Sequence, residues 1–285
     1  MKRIVSAALA FVMAALFAFA PCQMKAEAAS RLTTLKVGRT YNSFDITGDR
    51  RNDKFLIREY GSGDYKNDLR IFVNGKVAYR LPKTSDYSNY FYKTTAKLIT
   101  LSNGKRFLFL YCQGDNYDGP VQAILRYANG RFVRTVDFNA LTRRVCGHNR
   151  ANVVSVSGNT VNVSLYLMSW TVGPSDYSLS YRYSGGKLVQ NSSAAKFKGA
   201  AYVYGGTIKT YNVNRTIKVY STSSCGSVAF TLRRGDKIQI LSPFRISSRR
   251  CVYRVKYGSR YGWIIGQQGY PGESNKMFSN IFYAG

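Results

Sequence analysis

Acidic residues and histidine are scarce in this chain of 285 residues. It carries 14 Asp and Glu against 42 Lys and Arg, and its one histidine is His148. A serine triad needs a histidine tied to an acid, and a glycosidase needs two carboxylates in a cleft. The chain also lacks a glycine-rich phosphate loop that leads into a helix, and no Cys or His spacing fits a zinc site. The sequence therefore predicts a binding protein rather than an enzyme.

The one histidine follows a cysteine by two residues, in Cys146-Gly-His148. A thiol and an imidazole can act as nucleophile and base. Cell-wall cysteine peptidases that use this pair place the cysteine at the start of a helix, and the sequence predicts no such helix here. We therefore expect no catalytic residue in the chain. A cell-wall hydrolase with unfamiliar catalytic groups is the alternative.

Long apolar runs are confined to the start of the chain. Lys2 and Arg3 precede an apolar stretch from Ile4 to Ala20, and Ala26-Glu27-Ala28 follows. A basic start, an apolar segment and a small-x-small cleavage site are typical of a secretory signal peptide. We expect residues 1–28 to be this signal and the protein to be secreted or associated with the cell envelope. An uncleaved anchor is the alternative.

A strong positive charge remains after the predicted cleavage. Residues 1–28 hold three basic residues and one acidic residue, so the formal charge falls only from +28 to +26. Outside the cytoplasm the common polyanions are teichoic acids, lipid headgroups, acidic polysaccharides and mucins, and nucleic acid is not expected. The sequence therefore favours peptidoglycan or an anionic cell-surface polymer as partner, with a protein partner as a further alternative. A merely solubilising basic surface would explain the same charge.

Four cysteines remain after residue 28. An even number in an oxidising compartment indicates disulfides, with three pairings open. Proximity along the chain favours Cys112 with Cys146 and Cys225 with Cys251. Four free, buried thiols are the alternative.

Helical periodicity is hard to find after the signal, whereas short runs of Val, Ile, Tyr, Phe and Thr recur between turn residues. The sequence therefore predicts an all-β fold. Hairpin turns are indicated at Gly75, Gly130 and Gly186, which are spaced by 55 and 56 residues. We predict a domain of repeated β-meanders over residues 29–200, as a partial propeller or a sandwich. A chance recurrence of turn dipeptides is the alternative.

One loop of the first repeat is rich in oxygen side chains. Asp45, Thr47, Asp49 and Asp53 occupy positions 1, 3, 5 and 9 of a nine-residue segment. The segment resembles the FG-GAP and VCBS repeats of extracellular propellers, and the resemblance implies that these four residues are candidate calcium ligands. Arg50 departs from that pattern, which has glycine at position 6. Asp side chains that accept hydrogen bonds from backbone N–H groups in Asx turns are the alternative.

The chain changes character after a connector at residues 201–211. Three pieces follow in order: Thr216-Ile-Lys-Val-Tyr220, an Arg234-Gly-Asp236 turn before a β-branched strand, and Gly262-Trp-Ile264. Residues 212–267 thereby resemble the bacterial SH3-like (SH3b) family, a small five-stranded barrel, with residues 268–285 as a tail. The resemblance implies a module that targets exported proteins to peptidoglycan or other surface ligands.

Aromatic and basic residues alternate in this segment. Along a strand, Tyr253 and Tyr257 would share one face while Arg254 and Lys256 share the other. Aromatic faces stack on sugar rings, and cations pair with anionic groups. We therefore predict a ligand-binding surface, which a calcium-stabilised adhesion module would instead direct at another protein. Its residues would be Tyr253, Arg254, Lys256, Tyr257, Arg260, Tyr261 and Trp263.

Overall fold

A computed structural model describes residues 29–81, 90–115, 119–191, 194–201 and 206–283. The predicted signal peptide, residues 1–28, lies outside the described residues. The described chain is all-β, as the sequence predicts: it forms twenty strands in antiparallel sheets and one short helix, α1 (Phe138–Thr142). Within the described ranges, no helix has the length and apolar character needed to cross a membrane.

Sheets 1 and 2 contain the first nine strands. Sheet 1 has the order β2-β3-β4-β5, and sheet 2 has the order β1-β6-β7-β8-β9, so β1 leaves its neighbours in sequence to pair with β6. The bounds in sheet 1 are β2 (Thr40–Phe44), β3 (Asp53–Ser62), β4 (Tyr65–Val73) and β5 (Lys76–Arg80). Those in sheet 2 are β1 (Arg31–Leu35), β6 (Lys93–Thr100), β7 (Arg106–Gln113), β8 (Val121–Ala128) and β9 (Arg131–Asp137).

Sheets 3 and 4 contain the remaining strands. Sheet 3 has the order β10-β11-β12-β13, with β14 also paired to β12, and sheet 4 has the open order β15-β18-β19-β20-β16-β17. The bounds in sheet 3 are β10 (Cys146–Ser157), β11 (Thr160–Ser169), β12 (Gly173–Ser184), β13 (Lys187–Gln190) and β14 (Lys196–Ala200). Those in sheet 4 are β15 (Tyr211–Asn212), β16 (Ile217–Tyr220), β17 (Val228–Leu232), β18 (Lys237–Ile246), β19 (Cys251–Tyr257) and β20 (Arg260–Ile265).

The three predicted hairpin turns are confirmed. They join β4 to β5, β8 to β9 and β12 to β13, which is the last connection of a four-strand run in each case. Both central residues of each turn have positive φ, as a type I′ turn requires. The φ values are 52° and 79° at Asn74 and Gly75, 51° and 78° at Asn129 and Gly130, and 56° and 80° at Gly185 and Gly186.

Sheet 2 is buried on both faces. Along β7, Phe107 and Phe109 face a core shared with sheet 3, whereas Leu108 and Leu110 face a core shared with sheet 1. A strand covered on both sides has no polar face, which is why β7 is a continuous apolar run rather than an alternating one. Sheets 1 and 3 therefore pack on opposite faces of sheet 2.

The core of sheet 3 continues into sheet 4. Tyr177 of β12 packs its ring 4.5 Å from that of Phe244 in β18, measured between centroids. The hydroxyl of Tyr253 in β19 lies 3.0 Å from the Tyr177 hydroxyl and 3.1 Å from Ser169 Oγ. All four residues are buried. Because the hydroxyls bond to one another, this aromatic junction keeps its polar atoms paired without water.

The predicted disulfides are absent among the described residues, where all four cysteines are free thiols. Cys112 faces the core between sheets 1 and 2, whereas Cys146 belongs to the core between sheets 2 and 3. Cys251 is fully buried, and Cys225 lies half-buried in the turn between β16 and β17. Proximity along the chain was a poor guide to pairing, because the two cysteines of each proposed pair lie in different parts of the structure.

Candidate functional site

The outward face of sheet 4 carries basic and aromatic side chains in register. Arg254 of β19 lies opposite Trp263 of β20, and Lys256 lies opposite Tyr261. Side chains alternate along a strand, so Arg254 and Lys256 face outward while Val255 faces the core. The antiparallel pairing thereby brings together residues that the sequence separates by five to nine positions.

The cations lie against the aromatic rings. The guanidinium carbon of Arg254 is 5.6 Å from the ring centroid of Tyr261, and Lys256 Nζ is 5.7 Å from the same centroid. Arg245 of β18 lies 5.7 Å from the ring centroid of Trp263. These separations fall in the range of cation–π attraction. We call these five residues the outer patch.

The outer patch is accessible and positively charged. Tyr261 exposes 50% of its surface, and the other four members are half-buried. The neighbours in register on β16 and β18 are Tyr220, Leu241 and Gln239, none of which is acidic. The arrangement can therefore stack an aromatic ring on a flat apolar group, such as a sugar face, and pair cations with an adjacent anionic group.

Tyr257 and Arg260 belong to a different cluster. Arg260 lies 4.3 Å from the ring centroid of Phe230 and 5.1 Å from that of Tyr257. The Tyr257 hydroxyl donates to Asp236 Oδ1 at 2.8 Å. The backbone N–H of Arg233 and then this hydroxyl lower the pKa of the Asp236 carboxyl. The aspartate of the predicted Arg-Gly-Asp turn thus fastens the turn to β19, which is a structural role.

Tyr253 lies apart from both groups. It has no exposed surface, and its hydroxyl bonds to Tyr177 and Ser169 in the junction between sheets 3 and 4. The sequence correctly predicts that it shares a face with Tyr257, but that face points inward at this position. Tyr253 is therefore removed from the predicted ligand-binding surface.

The acidic loop is held by hydrogen bonds to its own backbone. Asp53 Oδ2 accepts from the N–H groups of Ile46 and Thr47 at 2.6 and 2.8 Å, and Asp45 Oδ1 accepts from Gly48 N at 2.6 Å. Asp49 Oδ1 accepts from Arg51 N at 2.8 Å.

These bonds match the Asx-turn alternative for the loop. Among the described residues, no three or more His, Cys, Asp or Glu side chains are grouped to hold a metal ion. Asp45, Thr47, Asp49 and Asp53 therefore do not form a shared ligand set in this structure.

A cleft between sheets 2 and 3 was not foreseen from the sequence. It has a volume of about 370 Å³, and its lining includes Lys93, Lys97, Arg150, Tyr166 and Asp176. Lys97 Nζ donates to Asn152 Oδ1 at 2.7 Å and to Val153 O at 2.8 Å, and burial lowers the pKa of its ammonium group. The lining comes from five strands, two in sheet 2 and three in sheet 3, so no local motif could have indicated it.

Cys146 and His148, which lie two residues apart in β10, have different surroundings. The Cys146 thiol is buried and donates to Thr142 O at 3.5 Å. The His148 ring stacks on Tyr166 with centroids 6.4 Å apart. These contacts place the thiol in the core and the imidazole beside the cleft.

Comparisons with known proteins found no match: no protein-family model, no curated protein and no solved structure is significantly similar to this chain.

Proposed function

We propose that this protein is an exported, non-enzymatic binding protein that its C-terminal segment holds on the bacterial cell envelope. The observation that carries the proposal is the outer patch, where two rings lie among three cations on one face of sheet 4. Peptidoglycan and its attached polymers present both sugar rings and anionic groups. A surface with both kinds of group suits such a polymer better than a small neutral ligand.

The proposed SH3b-like identity of the segment is supported by its strand pairing. Strands β18, β19 and β20 form a meander, and β20 also pairs with the β16–β17 hairpin. The glycine of the Gly-Trp-Ile piece has a steric reason: a Cβ on Gly262 would lie 2.4 Å from Val219 Cγ1 and 2.8 Å from Tyr220 O. Only glycine lets β20 approach β16 this closely, while the next side chain, Trp263, reaches the outer patch.

Sheets 1 to 3 would serve as a scaffold or as a second recognition unit. The core runs without a break from sheet 3 into sheet 4, so the sheet that bears the outer patch packs directly against sheet 3. A basic protein is also attracted to an anionic envelope over long range, an effect that salt weakens.

The test is co-sedimentation of the protein comprising residues 29–285 with purified cell-wall sacculi across a salt titration. Wild-type binding should persist at about 0.5 M salt, where long-range attraction is screened. Tyr261→Ala should reduce it, since tyrosine is among the residues whose truncation most often costs about 2 kcal/mol or more at a binding interface. Tyr92→Ala, a change at another exposed tyrosine just before β6 of sheet 2, is the matched control.

Three results would count against the proposal. If salt abolishes binding equally in the wild type and in Tyr261→Ala, the interaction with the sacculi would be charge attraction alone. Equal loss in Tyr261→Ala and Tyr92→Ala would remove the outer patch as the site. Absence of binding at any salt concentration would refute envelope binding and direct the search to protein partners.

A further inference from the structure

Three arginines lie side by side across sheet 1. In the strand register, Arg58 of β3 is opposite Arg70 of β4, and Arg70 is opposite Arg80 of β5. All three lie on the face of the sheet that points away from the core, because the alternating residues Ile57, Leu69 and Ile71 are buried. We call these three residues the arginine row.

The arginine row is held in place by two neighbours. Asp68 Oδ2 accepts from Arg70 Nε at 2.9 Å and Nη2 at 2.8 Å, and from Arg80 Nη2 at 3.3 Å. The guanidinium carbon of Arg70 also lies 4.5 Å over the ring of Tyr60. The side chain of Asp68 is only 4% exposed, against 32% for Arg70 and 49% for Arg80. The carboxylate is thus covered while the guanidinium groups reach the surface.

Stability alone does not account for this arrangement. Like charges directly opposite one another on neighbouring strands are destabilising. One ion-paired carboxylate against three guanidinium groups leaves an excess of two positive charges. An external anion would remove this repulsion, and the Asp68 and Tyr60 contacts already fix the direction of the central group.

We propose that the arginine row is a binding site for the phosphate groups of an anionic polymer. A guanidinium group presents a planar pair of donors that matches phosphate oxygens, and Arg is the residue best suited to such recognition. Adjacent strands are about 4.8 Å apart, so the row extends roughly 10 Å. It can therefore contact successive phosphates along one chain. The site lies on sheet 1 and does not depend on the outer patch of sheet 4.

The test uses long-chain inorganic polyphosphate as the probe and the intact protein of residues 29–285. Arg58→Gln/Arg80→Gln removes two members and keeps the Arg70–Asp68 pair. The matched control is Arg143→Gln/Arg144→Gln, which removes the same charge from exposed positions after α1. Affinity is measured over a salt series by titration calorimetry.

The row variant should weaken polyphosphate binding roughly tenfold at low salt. The slope of log K against log salt should become shallower by about two, one for each lost phosphate contact. The control should remain within about twofold of the wild type. Equal effects of the two double variants would overturn the proposal, because the row would then add only to the general charge.

A second measurement uses chemical modification of the arginines. Phenylglyoxal modifies accessible arginines, and mass spectrometry locates the adducts. Polyphosphate should protect Arg58 and Arg80 while leaving Arg143 and Arg144 reactive, and Arg254→Gln/Lys256→Gln should not change that protection. Uniform protection, or none at Arg58 and Arg80, would contradict the site. Protection of the row without sacculus binding would instead refute only the function proposed for sheet 4.

Discussion

Removal of the Asp53 carboxylate should cost the fold several kcal/mol, although its loop lies at the surface. Asp53 is 2% exposed and accepts from Ile46 N, Thr47 N and Asn74 Nδ2 at 2.6, 2.8 and 2.6 Å. Hydrogen bonds to a charged group contribute about 1.5–3 kcal/mol each, and donors left unpaired in a buried site are costly. Allowing for partial rescue by water, we expect Asp53→Ala to lower the free energy of unfolding by about 3–5 kcal/mol.

Asp49→Ala is the informative comparison within the same loop. Asp49 is exposed and accepts one short-range bond, from Arg51 N. Its removal should cost less than about 1 kcal/mol, as expected for an exposed turn. Both free energies can be measured by urea unfolding followed by fluorescence.

The calcium alternative makes a different prediction. If the loop were a calcium site, both carboxylates would be ligands, both variants would be destabilised, and a chelator would lower the melting temperature of the wild type. If the hydrogen bonds hold the loop, the chelator should leave that temperature unchanged. A chelator-induced decrease that disappears in Asp49→Ala would refute the reasoning.

Three further predictions concern packing, pH and thiols. Gly262→Ala should lower the free energy of unfolding by about 2 kcal/mol or more because its Cβ would collide with β16, whereas Gly226→Ala, with open space around it, should be nearly neutral in the same urea titration. Burial raises the pKa of Tyr177 and Tyr181 above the ordinary value of 10.0, so the fold keeps protons that the unfolded chain loses. The free energy of unfolding should therefore fall above about pH 10, and a profile flat to about pH 11.5 would contradict this. Non-reducing thiol titration of the protein comprising residues 29–285 should find four thiols after unfolding and Cys225 as the most reactive in the native state, whereas a disulfide would lower the total by two.

The turns and the strand alternation could be predicted because their causes are local. Asn74-Gly75 and Asn129-Gly130 supply positive φ from their own residue types, so their hairpins follow directly. Alternation also correctly grouped Arg254 with Lys256. It could not determine which face of β19 is covered, since that depends on β12, more than seventy residues away. Tyr253 was therefore misplaced while its neighbours were placed well.

The long-range features could not be inferred from a single sequence. Arg58, Arg70 and Arg80 look like scattered surface charges until the register of sheet 1 aligns them. The cysteine pairing failed for the same reason, because separation along the chain says little about distance between packed sheets. The sequence left two interpretations of the acidic loop, because Asx turns and calcium loops use the same spacing of Asp residues.

The pairing of β1 with β6 has a consequence for the order of folding. Arg31 to Leu35 precede sheet 1 in the chain, yet their partners, Ala96 to Thr100, follow only after all of sheet 1. Pairing β1 with β6 therefore closes a loop of about sixty residues, which costs more chain entropy than closing a hairpin. Sheet 1 is composed of hairpins between consecutive strands and can form before that loop closes. It thus behaves as an insertion between two neighbouring strands of sheet 2, and closure of that sheet around it is a late, non-local event.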